Sequence, residues 1–189
     1  AASQWARLAV GSRNHFLRND GTDPSWSASL GMGTGTGVFT PDGPVSAGAS
    51  TTAVGNVGVG EDDLITYSLP ANSLTTNLFG IHYLAFGEMA ANANVKQAKL
   101  YFGAQLVVQT AATGYNGIDW ELEAFIFRTG AATQIAIGRG SVGTNTITTN
   151  YATPTETISG AITLKCTGEA TANDDVVERG HLIRFFNGS

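Results

Sequence analysis

Two carboxylates at strand spacing are the residues of this 189-residue chain whose type and placement come closest to a reaction: Glu121 and Glu123, in DWELE at 119–123. Paired carboxylates hydrolyse glycosidic bonds when they stand about 5–5.5 Å apart for retention, or about 6.5–9.5 Å for inversion. Residues i and i+2 of a strand have Cα atoms roughly 6.5–7 Å apart, so the spacing is compatible. The surroundings fit less well. A sugar cleft adds aromatic platforms on both sides, whereas the same-face neighbours here are Phe125 and Phe127 on one side only. The Glu-apolar-Asp-apolar-x-Glu order of jelly-roll glycosidases is also not met. A solvated strand face is the plainer expectation. A carbohydrate-binding module or β-sandwich glycosidase using Glu121 and Glu123 is the alternative.

Other candidates fall away on detail. GMGTGTG at 31–37 lacks the Gly-Lys-Ser/Thr ending of a phosphate loop, and no Lys precedes Lys96. A dinucleotide loop needs a following helix, and no helical period is visible there. His15, His82 and His181 are far apart, with no Cys/His cluster to make a metal site. The acidic loops GEDD (60–63) and NDD (173–175) do not match calcium-loop spacing and are expected to be surface turns. There is no Gly-x-Ser-x-Gly elbow, and Cys166 shares parity with Ile158, Ile162 and Leu164, so it should face the core. The expectation is no catalytic set, no cofactor and no metal.

The elements that would position these residues are strands. Short alternating runs occur at 64–69, 81–88, 95–102, 106–109, 118–128, 134–141, 156–167 and 176–186, separated by turn-rich breaks such as AANAN and Gly103–Ala104. In 118–128, Ile118, Trp120, Leu122, Ala124 and Ile126 share one face. Asp119, Glu121, Glu123, Phe125 and Phe127 share the other, which turns apolar at its end. An outward Phe pair suggests a covered surface: either the arm or a loop covers it, or Phe125 and Phe127 are interface residues, the reading taken forward. Residues 31–60 are Gly-, Ser- and Thr-rich with Asp42 as their only charge, and read as an extended arm. The fold class expected is an all-β, jelly-roll-like β-sandwich over 61–189, with an attachment segment and arm over 1–60.

Composition narrows the partners. Only 13% of residues are charged, and the net charge is −5. Residues 1–60 balance three Arg against three Asp; the remainder sets seven Lys/Arg against twelve Asp/Glu. No basic patch is present to neutralise phosphates, which argues against nucleic acid and anionic membrane. No run approaches the roughly 18 apolar residues of a membrane-spanning helix, and AASQWARLAV lacks the build of a signal peptide. A single cysteine excludes an intrachain disulfide.

Two stretches carry a resemblance. NHFLRNDGTDPSW (14–26) resembles a repeat of bacteriophage tail-fibre and virion surface proteins, running approximately Asn-x-x-Leu-x-x-Asp-Gly-Thr-x-Pro-x-Trp; Asn14, Leu17, Asp20, Gly21, Thr22, Pro24 and Trp26 match. YSLPANSL, AANANVKQAKLYFG, WELEAFIFRTGAATQIAIG and ETISGAITLKCTGEATANDD resemble phrases of a jelly-roll-like domain of phage structural proteins. The resemblance implies a non-enzymatic homotrimer on the virion surface, contacting capsid or tail proteins as a capsid decoration or head fibre, or contacting a host glycan as a fibre-tip adhesin. Trp5, Leu17 and Trp26 would belong to the attachment segment. The chain has one copy of the repeat and is shorter than a full tail fibre, which shifts weight towards a compact accessory protein.

Overall fold

The computed structural model describes residues 16–19, 24–27 and 46–186, with side chains described over 48–144 and 149–186. Trp5, His15, residues 20–23 with the expected Asp-Gly turn, and the GMGTGTG stretch lie outside the described residues. The chain divides into two compact units, Ala1–Val38 and Phe39–Ser189. In the first, β1 (Phe16–Asn19) pairs antiparallel with β2 (Pro24–Ser27), with Leu17 opposite Trp26. This is the hairpin that an Asp-Gly turn between short strands predicts.

The second unit is all-β, with no helix among the described residues. Its strands are β3 (Ser46–Ser50), β4 (Val54–Gly55), β5 (Gly60–Leu69), β6 (Gly80–Ala91), β7 (Gln97–Phe102), β8 (Gln105–Gln109), β9 (Asn116–Gly130), β10 (Thr133–Val142), β11 (Asn145–Ala152), β12 (Ile162–Ala170) and β13 (Val176–Phe186). The larger sheet runs β11-β10-β9-β6-β13-β3, with β4 also pairing β13. The smaller runs β5-β12-β7-β8. All pairings are antiparallel, and the two sheets pack as a jelly-roll-like sandwich. Between β7 and β8 the chain turns at Gly103, whose φ of 59° is a left-handed conformation that favours glycine.

Alternation places the core as expected. Trp120, Leu122, Ala124 and Ile126 of β9 are buried against Leu100 and Phe102 of β7 and Leu164 and Cys166 of β12. Two departures stand out. The strand expected over 156–167 begins only at Ile162, because residues 156–158 are held another way: Gln134 clasps the Glu156 backbone at 2.8 and 3.0 Å, and the Ile158 amide donates to the Ala131 carbonyl. β11, in turn, is a Thr- and Asn-rich edge strand with little apolar alternation, held by its ladder to β10. Within the stretch read as an arm, β3 and β4 pair with β13 and extend the large sheet.

One end of the sandwich is closed by polar groups. Lys96 is fully buried, and its Nζ donates to Asn92 O, Asn92 Oδ1, Asn94 O and Tyr115 O at 2.7–3.0 Å. The Asn92 and Asn94 amides donate in turn to Asp175, at 2.6 and 2.9 Å. Burial alone would raise the Asp175 pKa; the bonds from Asn92 and Asn94 and the nearby Lys96 charge outweigh it and hold the carboxyl below its ordinary value. Asn56 joins the same end, donating to Ala172 O and accepting from the Val176 amide. Lys96→Met is therefore expected to remove the donor shared by four part-buried oxygens, of which Asn92 Oδ1 keeps another donor in the Asn94 amide, and to cost about 3–5 kcal/mol, read from urea denaturation. In a second comparison, a chain starting at residue 39 should melt as cooperatively as the full protein. One starting at 61 lacks β3 and β4 and should melt at lower temperature by circular dichroism.

Candidate functional site

The outward faces of the two sheets differ in chemistry, and the larger one carries the candidate site. On the small sheet, Lys99 bridges Glu61 and Glu169 at 2.6 and 2.5 Å, and Lys165 pairs with Asp63 at 2.6 Å while lying over the Tyr101 ring. Tyr101 and Thr167 both donate to Glu61 Oε1. Burial raises the Glu61 pKa, but the bonds from Lys99, Thr167 and Tyr101 outweigh it, so the carboxyl titrates below its usual value. Tyr101 is pushed up to about 12, by burial first and then by its bond to Glu61. This face is a solvated ion network.

The large sheet's outer face can be read across the ladders. One row runs Tyr151, Ile137, Phe125, His82, Arg184. The next runs Ile135, Phe127, Gly80, Phe186. On the other side of the first lies Arg139, Glu123, Leu84, Leu182. Phe125 and Phe127 are half-buried here, on the face expected for them. Phe125 stacks on His82 with centroids 4.6 Å apart, and Phe127 packs on Phe186 at 4.7 Å. Beside them Ile135, Ile137 and Tyr151 are exposed, by 37%, 45% and 66%, so one contiguous apolar patch faces outward.

The two carboxylates of DWELE have different surroundings. Glu123 is buried, not solvated: it pairs with Arg139, and His82 Nε2 approaches its other oxygen to 2.7 Å without hydrogen-bond alignment. The stacking on Phe125 sets the imidazole plane. Glu121 is exposed and lines an open cleft of about 500 Å³ with Phe86, Glu88, Asp119, Ser141 and Arg179. Arg179 pairs with Glu88 across its wall. Shared parity thus brings Glu121 and Glu123 to one face, but Glu123 is buried and paired with Arg139 whereas Glu121 is exposed.

The remaining sequence candidates lie elsewhere in the chain. Cys166 is buried in β12. Asp62 and Asn173 accept backbone amides from Val57 and Gly58. No group of three or more potential metal ligands occurs among the described residues. Leu17 and Trp26 pair across the β1–β2 hairpin, and Trp5 lies outside the described residues.

His82, which the sequence offers only as a discarded metal ligand, belongs to the site, as do Ile135, Ile137, Tyr151 and Arg139, which sequence reasoning misses. A signal for two of them was present: β10 reads Ile135-Ala-Ile137-Gly138, large residues at one parity and small at the other. The small ones face inward, because a side chain at Gly138 would meet Val108 of the opposite sheet at 2.6 Å. No known protein family, no curated protein and no solved structure matches the chain.

The two carboxylates should separate in stability. Glu123→Ala removes the buried partner of the Arg139 guanidinium and is expected to cost about 1–3 kcal/mol. Glu121→Ala should stay within about 0.5 kcal/mol of the parent. Chemical denaturation of both variants checks the difference.

Proposed function

We propose that this chain is a non-enzymatic structural protein of a phage virion surface, assembling as a homotrimer through the outer face of the large sheet. Its role would be that of a capsid decoration or head fibre, or of a fibre-tip adhesin. The observation that carries the assembly reading is the contrast between the two outer faces: one a solvated ion network, the other an aromatic and aliphatic patch around Phe125 and Phe127. Burying a Phe, Ile or Leu side chain contributes roughly 1.5–3 kcal/mol when complete. Several half-covered ones, repeated on each copy, can offset the cost of association. The virion placement rests on the resemblance of residues 14–26 and of the sandwich phrases to phage surface proteins.

A second reading, a carbohydrate-binding module, is favoured by the cleft at Glu121, where a 39% exposed Phe86 ring lies among carboxylates and a guanidinium. Glu123, held by Arg139, is not free to act beside Glu121, so this reading is one of binding rather than cleavage.

Light scattering at micromolar concentration tests the first reading. The wild type is expected as a trimer, and Phe125→Ser with Phe127→Ser is expected to shift it towards monomer with its circular dichroism unchanged. A monomeric wild type sinks the trimer. A double variant that stays fully trimeric moves the interface elsewhere. Glycan-array binding lost in Glu121→Ala would favour the second reading.

A further inference from the structure

Glu178 and His181 stand three residues apart on β13, a spacing that points side chains to opposite faces of a regular strand. Between Glu178 and Gly180 the register against β6 slips, a bulge that turns both side chains into the sandwich. Glu178 is fully buried and His181 nearly so. Glu178 Oε2 accepts the Ile65 amide of β5 at 2.9 Å. Its Oε1 faces His181 Nδ1 at 3.6 Å, and neither atom has a hydrogen-bond partner. From β6, Tyr83 sets its ring edge-on to His181 at 5.9 Å, with its buried hydroxyl also unpartnered. From β12, Cys166 is the other titratable group near the pair, and burial raises both Tyr83 and Cys166 well above their ordinary values, leaving them neutral.

A carboxylate here would be a buried charge with one backbone donor. A carboxylic acid would instead donate from Oε1 towards the imidazole nitrogen, while Oε2 keeps the Ile65 amide. We propose that Glu178 is a proton-dependent latch between the sheets: protonated, it adds a bond to His181 to the amide it accepts from Ile65 of β5 and carries no charge; deprotonated, it keeps the Ile65 amide but places an uncompensated charge in the core and loosens that joint. Burial raises the Glu178 pKa above 4.5, outweighing the opposing His181 and Ile65 contacts. A group whose folded pKa is raised adds stability that is complete below its unfolded pKa and is lost as pH rises through the folded one. The latch therefore strengthens on mild acidification.

The test compares thermal melts of the full chain and Glu178→Gln, a permanent mimic of the neutral acid, between pH 4.5 and 8. Taking the difference cancels groups that do not touch Glu178, and leaves the coupled Glu178–His181 pair. The variant is expected to gain about 2–4 °C in Tm relative to wild type as pH rises across that range. A difference that does not change with pH, or a variant that loses ground as pH rises, overturns the latch and makes the pair an ion pair. Should the variant fail to fold, infrared spectra of the wild type decide. A protonated-carboxyl band that titrates above the ordinary Glu range supports the latch, and its absence overturns it.

Discussion

The ammonium of Lys96 is the interaction on which the sandwich most depends. A buried cation is tolerated only where oxygens replace its water, and here four do so: two carbonyls and a side-chain oxygen from the 92–94 turn, and the carbonyl of Tyr115. These come from the connections that carry the chain between the sheets, β6 to β7 and β8 to β9. The Asn92 and Asn94 amides pass the tie to Asp175, in the connection from β12 to β13. Asn56, in the connection from β4 to β5, bonds Ala172 and Val176 and closes the set. Four crossings between two sheets are thereby fixed to one another at one end, and the strands leave that end with their registers set.

From that end β6, β9 and β13 run side by side through the large sheet, and the candidate site lies along their outer faces. Near the clasp the face is polar, with Glu88, Asp119, Glu121 and Arg179 around an open cleft. Towards the far end it becomes apolar, with Phe125, Phe127 and Phe186. Glu123 sits between the two halves, joined to Arg139 and beside the His82 ring that stacks on Phe125. The ion pair of Glu123 with Arg139 ties β9 to β10 beside the apolar patch, and the ladders of β9 to β6 and β10 fix the shape of that patch.

Much of this is legible in the residues. Period-two alternation in 118–128 locates both the core face and the outward Phe pair, and the parity of Ile158, Ile162, Leu164 and Cys166 places the cysteine inside. What escapes is set by pairing rather than by pattern. AANAN reads as a turn, but that its two Asn side chains serve Lys96 and Asp175 depends on a loop some eighty residues away. β11 has too little apolar content to announce itself, and its ladder to β10 decides its state. The bulge at Arg179 cannot be read from VVERGHL, because a regular strand and a bulged one share the same letters. Without it Glu178 and His181 would appear to lie on opposite faces. Glu123 reads as a solvated carboxylate until its neighbours across β6 and β10 are known.

The apolar patch is a consequence of the core and not a loose end of it. The inner positions of β9 are filled by Trp120, Leu122, Ala124 and Ile126, and on β10 the close approach of Val108 leaves no room for a side chain at Gly138. Sliding β9 by one residue would bury Phe125 and Phe127. It would also turn Trp120 and Leu122 out to water and carry Glu121 and Glu123 into the core. The alternative register is thus excluded by the same alternation that makes the native one. The chain keeps an outward surface of Phe, Ile and Tyr side chains that its own sandwich has no room to take in, while its other face is saturated with ion pairs. Such a surface is costly for a solitary domain and useful to one that meets a partner. That asymmetry, fixed from the interior outward, is the physical support for reading the protein as a component of an assembly.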